Sequence, residues 1–381
     1  MSDMANVSCL RTTQRGPLRK RLELNLALQG GGAHGAFTWG VLDRLLEDER
    51  LDFGWISATS AGAVNAVAMA SGLATGSRQT ARENLFKVWQ AVHKSGVPDL
   101  TRINPFLYGL SRSNSLAQVA TLWSPYEFNP LGFDPLRRIL ADHVDFDALR
   151  AKPGSELLIA ATHVPTGRAR LFRRAELTIE AVLASACLPT VHHAVEIDGT
   201  AYWDGGFSAN PDLVTVAVES PVADTLLVTL SALVIDEHPM SVRDISNHAT
   251  RLTFNAPLLR EVEIINAVRE TAGAILPKGR LAPIARHRFH LIDASPVTAN
   301  LSPETTMKPE WSTITYLHGA GRSAADAWLA ANRTAIGKFE SVDLARHFFG
   351  RTSASAPPVP VPSRRIAEYE GRTKIPAKRT S

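Results

Sequence analysis

The sequence predicts an α/β fold in which a mainly parallel sheet is covered by helices. Three observations lead there. Leu22, Leu24, Leu26 and Leu28 alternate around Ala27, as in a strand buried on both faces. A glycine cluster at 30–32 then hands the chain to a helical pattern. A second strand, turn and helix follow at once over residues 53–71. Repeated strand–turn–helix units are how parallel strands are joined.

The first helix is expected over residues 33–47, because Phe37, Val41, Leu42 and Leu45 recur at helical spacing. Residues 53–59 read as the second strand and 61–71 as a helix of small residues. Residues 95–130 are polar and contain Pro98, Pro105, Pro125 and Pro130, which reads as a lid or substrate-binding insert. A helix is expected over Pro135–His143 and paired strands over Glu156–His163 and 167–172. A helix at 177–186 precedes a hairpin at 195–203, which turns at Asp198-Gly199. Buried strands are expected at 226–230 and 289–293, and helices after Ser241 and over Trp311–Asn332. Residues 351–381, rich in Pro, Ser, Ala and Arg, read as a disordered tail.

Composition narrows the function classes. Of 381 residues, 45% are hydrophobic and 20% charged, which excludes a fibrous or mostly disordered chain. No apolar run reaches the roughly 18 residues of a membrane span. The first 21 residues lack an apolar signal core, so a cytoplasmic protein is expected, with Cys9 and Cys187 as unpaired thiols. The net charge is +4, with +4 in residues 1–21 and +5 in residues 351–381, leaving −5 on the body. An acidic body disfavours nucleic-acid binding, and the basic tails suit peripheral contact with anionic lipid.

Three motifs carry chemistry. Gly30-Gly31-Gly32-Ala33-His34-Gly35 lies between a buried strand and a helix, where free backbone N–H groups suit a phosphate or a transient oxyanion. The spacing also fits a dinucleotide loop. That reading wants an acid at the end of the second strand, where Ala58-Thr59-Ser60 stands instead. Ala58-Thr59-Ser60-Ala61-Gly62 has the small residues of a nucleophile elbow, although Ser60 could equally cap the helix. Asp204-Gly205-Gly206 puts an acid on a glycine turn at a strand end. Together they supply a nucleophile, a base and an oxyanion hole. A Ser-His-Asp triad is the rival arrangement, with His238, His248, His287, His290 and His318 as later histidines. His192-His193 and the Asp142, Asp145 and Asp147 cluster read as loop and helix-end features, so no metal or cofactor is expected.

These three motifs, with Asn210-Pro211 after the acid, resemble the patatin-like phospholipases over residues 22–216. The resemblance implies a three-layer α/β/α sandwich with a mainly parallel central sheet and a mainly helical C-terminal extension. It implies a catalytic domain at 22–216 and an α/β extension packed on it at 217–349, which leaves the basic N-terminal tail at 1–21 and the Pro/Arg-rich tail at 350–381 outside the resemblance. It further implies Ser60 as nucleophile, Asp204 as base, and amides of Gly30, Gly31 and Gly32 as the oxyanion hole. Gly35, Ala58, Gly62, Gly205 and Gly206 support the motifs. Hydrolysis of lipid acyl esters through an acyl-enzyme follows, with a lipid substrate and peripheral membrane or lipid-granule contact. A non-catalytic lipid- or granule-surface binder on the same fold is the other expectation. Ala58 stands where the family carries glycine, and His34 where many members carry Arg or Lys. His34 is expected to face the substrate headgroup without a fixed charge.

Overall fold

The computed structural model describes residues 21–95, 124–232, 238–274, 279–299 and 301–350. The expected insert at 95–130 and both expected tails lie almost wholly outside the described residues.

Among the described residues, eight strands form one sheet. The strands β1 (Leu22–Leu28), β2 (Leu51–Thr59) and β3 (Glu156–His163) lie side by side and parallel. β4 (Arg168–Arg173) pairs antiparallel with one edge of β3. The hairpin of β5 (Val195–Ile197) and β6 (Thr200–Asp204) joins β3 antiparallel. Its turn is the expected one: Asp198 and Gly199 take φ of 51° and 72°, the left-handed pair that a two-residue hairpin turn needs. On the far side, β7 (Asp224–Thr229) pairs parallel with β1, and β8 (Arg288–Asp293) with β7. Residues 217–349 thus contribute two strands to the same sheet.

The side-chain period of two divides the central strands between two cores. Leu24, Leu26, Leu28, Leu226 and Val228 enter one, and Ala27 and Leu227 the other. The first core is covered by α1 (Gly35–Leu46), α2 (Ala61–Thr75), α3 (Arg78–Lys94) and α9 (Trp311–Asn332). Also on this side are α4 (Pro135–His143), α5 (Phe146–Ala151) and α6 (Ile179–Ser185). The second core is covered by α7 (Val214–Glu219), α8 (Val242–Ala274) and α10 (Leu344–Phe349). This is the α/β/α sandwich with a helical C-terminal region. Leu26 and Leu28 are fully buried, so truncating either to Ala costs about 2–5 kcal/mol. No helix among the described residues is long and apolar enough to cross a membrane.

Candidate active site

Two strands meet end to end along one edge of β3. β2 ends with Thr59 opposite Ala160, and β6, running the other way, ends with Asp204 opposite Ala161. Ser60 and Asp204 therefore leave the sheet at adjacent registers, although 144 residues separate them in sequence.

Ser60 reverses the chain from β2 into α2 with φ 54° and ψ −123°. A non-glycine residue held in this left-handed region costs about 1–3 kcal/mol and persists only where neighbours enforce it. The Ser60 N–H donates to Ser185 Oγ at 3.0 Å, and Thr59 Oγ1 donates to the Ala209 carbonyl at 2.7 Å. Gly62 lets α2 approach β1, since a Cβ there would lie 2.4 Å from the Leu28 carbonyl oxygen. The Ser60 side chain makes no capping bond to α2, so the helix-cap reading does not hold and Oγ is left for other work. Ala58 is fully buried, and its small side chain belongs to the first core.

Asp204 is fully buried. Its Oδ1 accepts the Gly206 N–H at 2.8 Å, while Oδ2 has no hydrogen-bond partner. Burial pushes the carboxyl up to about 7, against smaller opposing effects of the Gly206 N–H and the Ser60 hydroxyl. The Ser60 hydroxyl thus favours the carboxylate form. A Cβ on Gly205 would lie 2.2 Å from the Ala160 carbonyl oxygen, and one on Gly206 2.3 Å from the Phe254 ring. Both glycines let the acid turn press against β3 and α8.

The glycine loop departs from expectation at two residues. The Gly30 N–H donates to Asn210 Oδ1 at 2.8 Å, so it is not free for an oxyanion. The amides of Gly31 and Gly32 have no acceptor among the described residues. Gly32 takes φ 54°, and a Cβ there would lie 2.3 Å from the Thr306 carbonyl oxygen, so the Pro303–Thr306 turn sits against the loop. The same turn covers His34, which is 7% exposed and shares a 2.7 Å hydrogen bond between Nε2 and Thr305 Oγ1. Burial lowers its pKa to about 4, so the ring is neutral. It does not face a substrate headgroup; it faces the turn. Gly35 brings the starts of α1 and α2 together, and Asn65 Nδ2 bridges the Gly35 and Ala61 carbonyls at 3.0 Å each.

None of the described histidines hydrogen-bonds Ser60 or Asp204. His287 meets Thr225, His290 meets Ser341 and Asp224, and His318 meets Asp43. Sequence reasoning missed Ser185 as the partner of the elbow and left Asn210 without a role. The helix expected after Ser241 forms as α8, but its reach to the site was not foreseen: its Phe254 carbonyl accepts from Asn210 Nδ2 at 3.0 Å and its Asn255 Oδ1 accepts from Gln29 Nε2 at 3.3 Å.

A serine on a strained strand–helix elbow, beside a buried strand-end acid and a glycine loop, is the layout of a serine hydrolase site. The patatin-like phospholipase family model matches residues 26–217, half of the chain, and the chain belongs to that family. Among solved structures, it is similar to VipD from Legionella pneumophila at 14% identity and a TM-score of 0.35, covering 82% of this chain and 72% of that one. It is also similar to the ExoU–SpcU complex of the Pseudomonas aeruginosa type III secretion system, at 16% identity and a TM-score of 0.26, covering 83% of this chain and 61% of that one. No curated protein matches the chain.

Proposed function

We propose that the protein is a cytoplasmic lipid acyl hydrolase that works through a Ser60–Asp204 dyad, with residues 22–216 carrying the chemistry. Membership of the patatin-like phospholipase family supports lipid hydrolysis. The observation that carries the dyad is the fully buried Asp204, with Oδ2 unpartnered, beside a serine whose hydroxyl the helix does not use. A carboxyl held near pH 7 is matched to taking and returning a proton at neutral pH.

In this mechanism the Asp204 carboxylate takes the Ser60 hydroxyl proton as Oγ attacks the ester carbonyl carbon. The resulting oxyanion is held by the amides of Gly31 and Gly32, with Gly30 kept in place by Asn210. Asp204 returns its proton to the departing alcohol oxygen and the acyl-enzyme forms. Asp204 then takes a proton from water, which attacks the acyl carbon. The second tetrahedral intermediate collapses to free fatty acid, and the proton returns to Ser60. His287, His290 and His318 are engaged away from this pair, and no described histidine hydrogen-bonds it, which favours the dyad over a triad. With His34 neutral and turned to Thr305, that side chain gives a phosphate headgroup no cation, so the site reads the acyl ester first.

The test is incubation of a mixed lipid extract with the protein and with Ser60→Ala, followed by mass spectrometry of released fatty acids. The protein should release fatty acids and Ser60→Ala should not. Identical profiles would leave a lipid binder in place of a hydrolase.

A further inference from the structure

β1 and β7 are parallel neighbours whose connections part at their carboxyl ends. β1 runs through the glycine loop into α1 on the first core, and β7 leads toward α8 on the second. Such a parting opens a crevice between the two strand ends, where α/β sheets commonly take up a ligand. Here a side chain of the protein itself bridges it. Gln29, the first residue after β1, is fully buried. Its Oε1 accepts the N–H groups of Leu230 at 2.6 Å and Ser231 at 3.2 Å, the first two residues after β7. Its Nε2 donates to Asn255 Oδ1 on α8, and Asn255 Nδ2 donates to the Ala232 carbonyl at 3.4 Å. Thr298 Oγ1 donates to the Leu230 carbonyl at 3.0 Å, so side chains from two other segments hold both backbone polar groups of Leu230. Leu230 in turn backs the glycine loop. A Cβ on Gly31 would lie 3.0 Å from Leu230 Cδ1 and 3.3 Å from Leu230 Cβ, so the loop rests directly on that side chain.

We propose that Gln29 is a positioning residue for the oxyanion hole, fixing Leu230 and through it the Gly31 amide, an inference that rests on the hydrolase reading above. The chemistry of the bridge is the first argument. A hydrocarbon as long as glutamine would fill the same volume but leave the buried Leu230 N–H unpaired. What the amide adds is a fixed place for the Leu230 backbone. The arrangement of the anchors is the second. Asn210 holds the Gly30 N–H, and Gln29 sets Leu230 against Gly31. Both anchors end on consecutive residues of α8, the Phe254 carbonyl and the Asn255 side chain. What the anchors leave free is the third. The Gly31 and Gly32 amides, which the proposed mechanism uses, have no acceptor among the described residues. An oxyanion donor works at about 2.7–3.1 Å from the developing charge, and a misplacement of about 1 Å can cost about a hundredfold in rate. The Gly31 amide is therefore sensitive to where Leu230 stands.

The experiment compares the full chain with Gln29→Met, Gln29→Glu and Thr298→Val. kcat and KM are read on a water-soluble ester, and inhibition is read with a trifluoromethyl ketone. Ser60 Oγ adds to the ketone's carbonyl carbon, its proton passes to Asp204, and the carbonyl oxygen becomes an oxyanion in the hole. Gln29→Met should lower kcat about tenfold with KM within about twofold, and should weaken the ketone by the same factor. A merely structural role would not weaken the ketone in step with kcat at each folded site. Glutamate keeps an oxygen for both amides whether or not it is protonated, so Gln29→Glu should recover kcat to within about threefold of the parent. Thr298→Val withdraws the hydroxyl from the Leu230 carbonyl and should lower kcat and ketone affinity together by about threefold. A folded Gln29→Met with parental kcat would overturn the proposal. So would a loss of kcat with the ketone bound as tightly as before, because that loss would not run through the oxyanion. Should Gln29→Met fail to fold, Thr298→Val carries the test, and parental kcat and ketone affinity there would overturn the proposal. A parent protein that neither cleaves the ester nor binds the ketone would overturn the hydrolase reading and this proposal with it, whereas an active parent with parental variants overturns this proposal alone.

Discussion

Asn210 Oδ1 accepts the backbone N–H of Gly30 at 2.8 Å, and Asn210 Nδ2 donates to the Phe254 carbonyl at 3.0 Å. One side chain thus ties the glycine loop to the segment after Asp204 and to α8. A Cβ on Gly30 would lie 2.7 Å from Ser60 Cβ, so the loop position set by Asn210 also sets the space around the serine. In the proposed mechanism Asn210 is a positioning residue, and Gly31 and Gly32 are left to act as the oxyanion donors.

Asn210→Ala should lower kcat on a soluble ester about tenfold while KM changes little, because the lost alignment is felt in the transition state. The unpaired Gly30 N–H should cost about 1–3 kcal/mol in chemical denaturation. Asn210→Asp keeps the acceptor for Gly30 and should recover part of kcat. An unchanged kcat in the alanine variant would separate this tie from catalysis.

The pH dependence of kcat/KM should show an acid limb centred near 7. Asp204 must be ionised to act as base, and burial holds its carboxyl up to about 7, so activity falls as pH drops through that value. A limb near 4 would mean that the carboxyl behaves as if exposed.

The same burial fixes a sign for stability. The folded-state pKa of Asp204 lies above its ordinary 3.8, so its contribution is full below that value and is lost as pH rises through about 7. Glu261, pushed up to about 7 by burial and by Asp212, adds to the trend. Asp204→Asn should therefore raise Tm relative to the parent at pH 8 and leave it level at pH 4, while abolishing turnover. A lower Tm at pH 8 would show that the buried carboxylate is stabilising.

His34→Arg should destabilise the protein. Its ring is buried under the Pro303–Thr306 turn against Thr305, where a guanidinium has no room and no described carboxylate partner. Burying an unpaired charge costs several kcal/mol or forces the turn to open. Thermal unfolding should show a large loss, with no gain in activity on phospholipid over neutral acylglycerol. A stable variant with a phospholipid gain would return position 34 to the headgroup.

The strand-end places of Ser60 and Asp204 were legible because glycines and other small residues flank them, and close backbone approach demands such neighbours. The parallel-sheet pattern and most elements were legible from periodicity, including the Asp198-Gly199 turn. α3 was missed, although Ser77 caps it and Ala81, Leu85, Val88 and Trp89 line its buried face. Ser185 carried no signal, since a serine in a run of small helical residues looks the same whether or not it accepts a distant N–H. The orientation of His34 was not readable because a turn about 270 residues later sets it.

The central claim is that Ser60 is the nucleophile and that Asp204 activates it. A fluorophosphonate reports this directly, because it bonds only to a serine already activated for attack. Labelling should map by mass spectrometry to Ser60, disappear in Ser60→Ala, and slow by orders of magnitude in Asp204→Asn with the fold intact. Label on another residue, or Asp204→Asn reacting at the parent rate, would contradict the dyad.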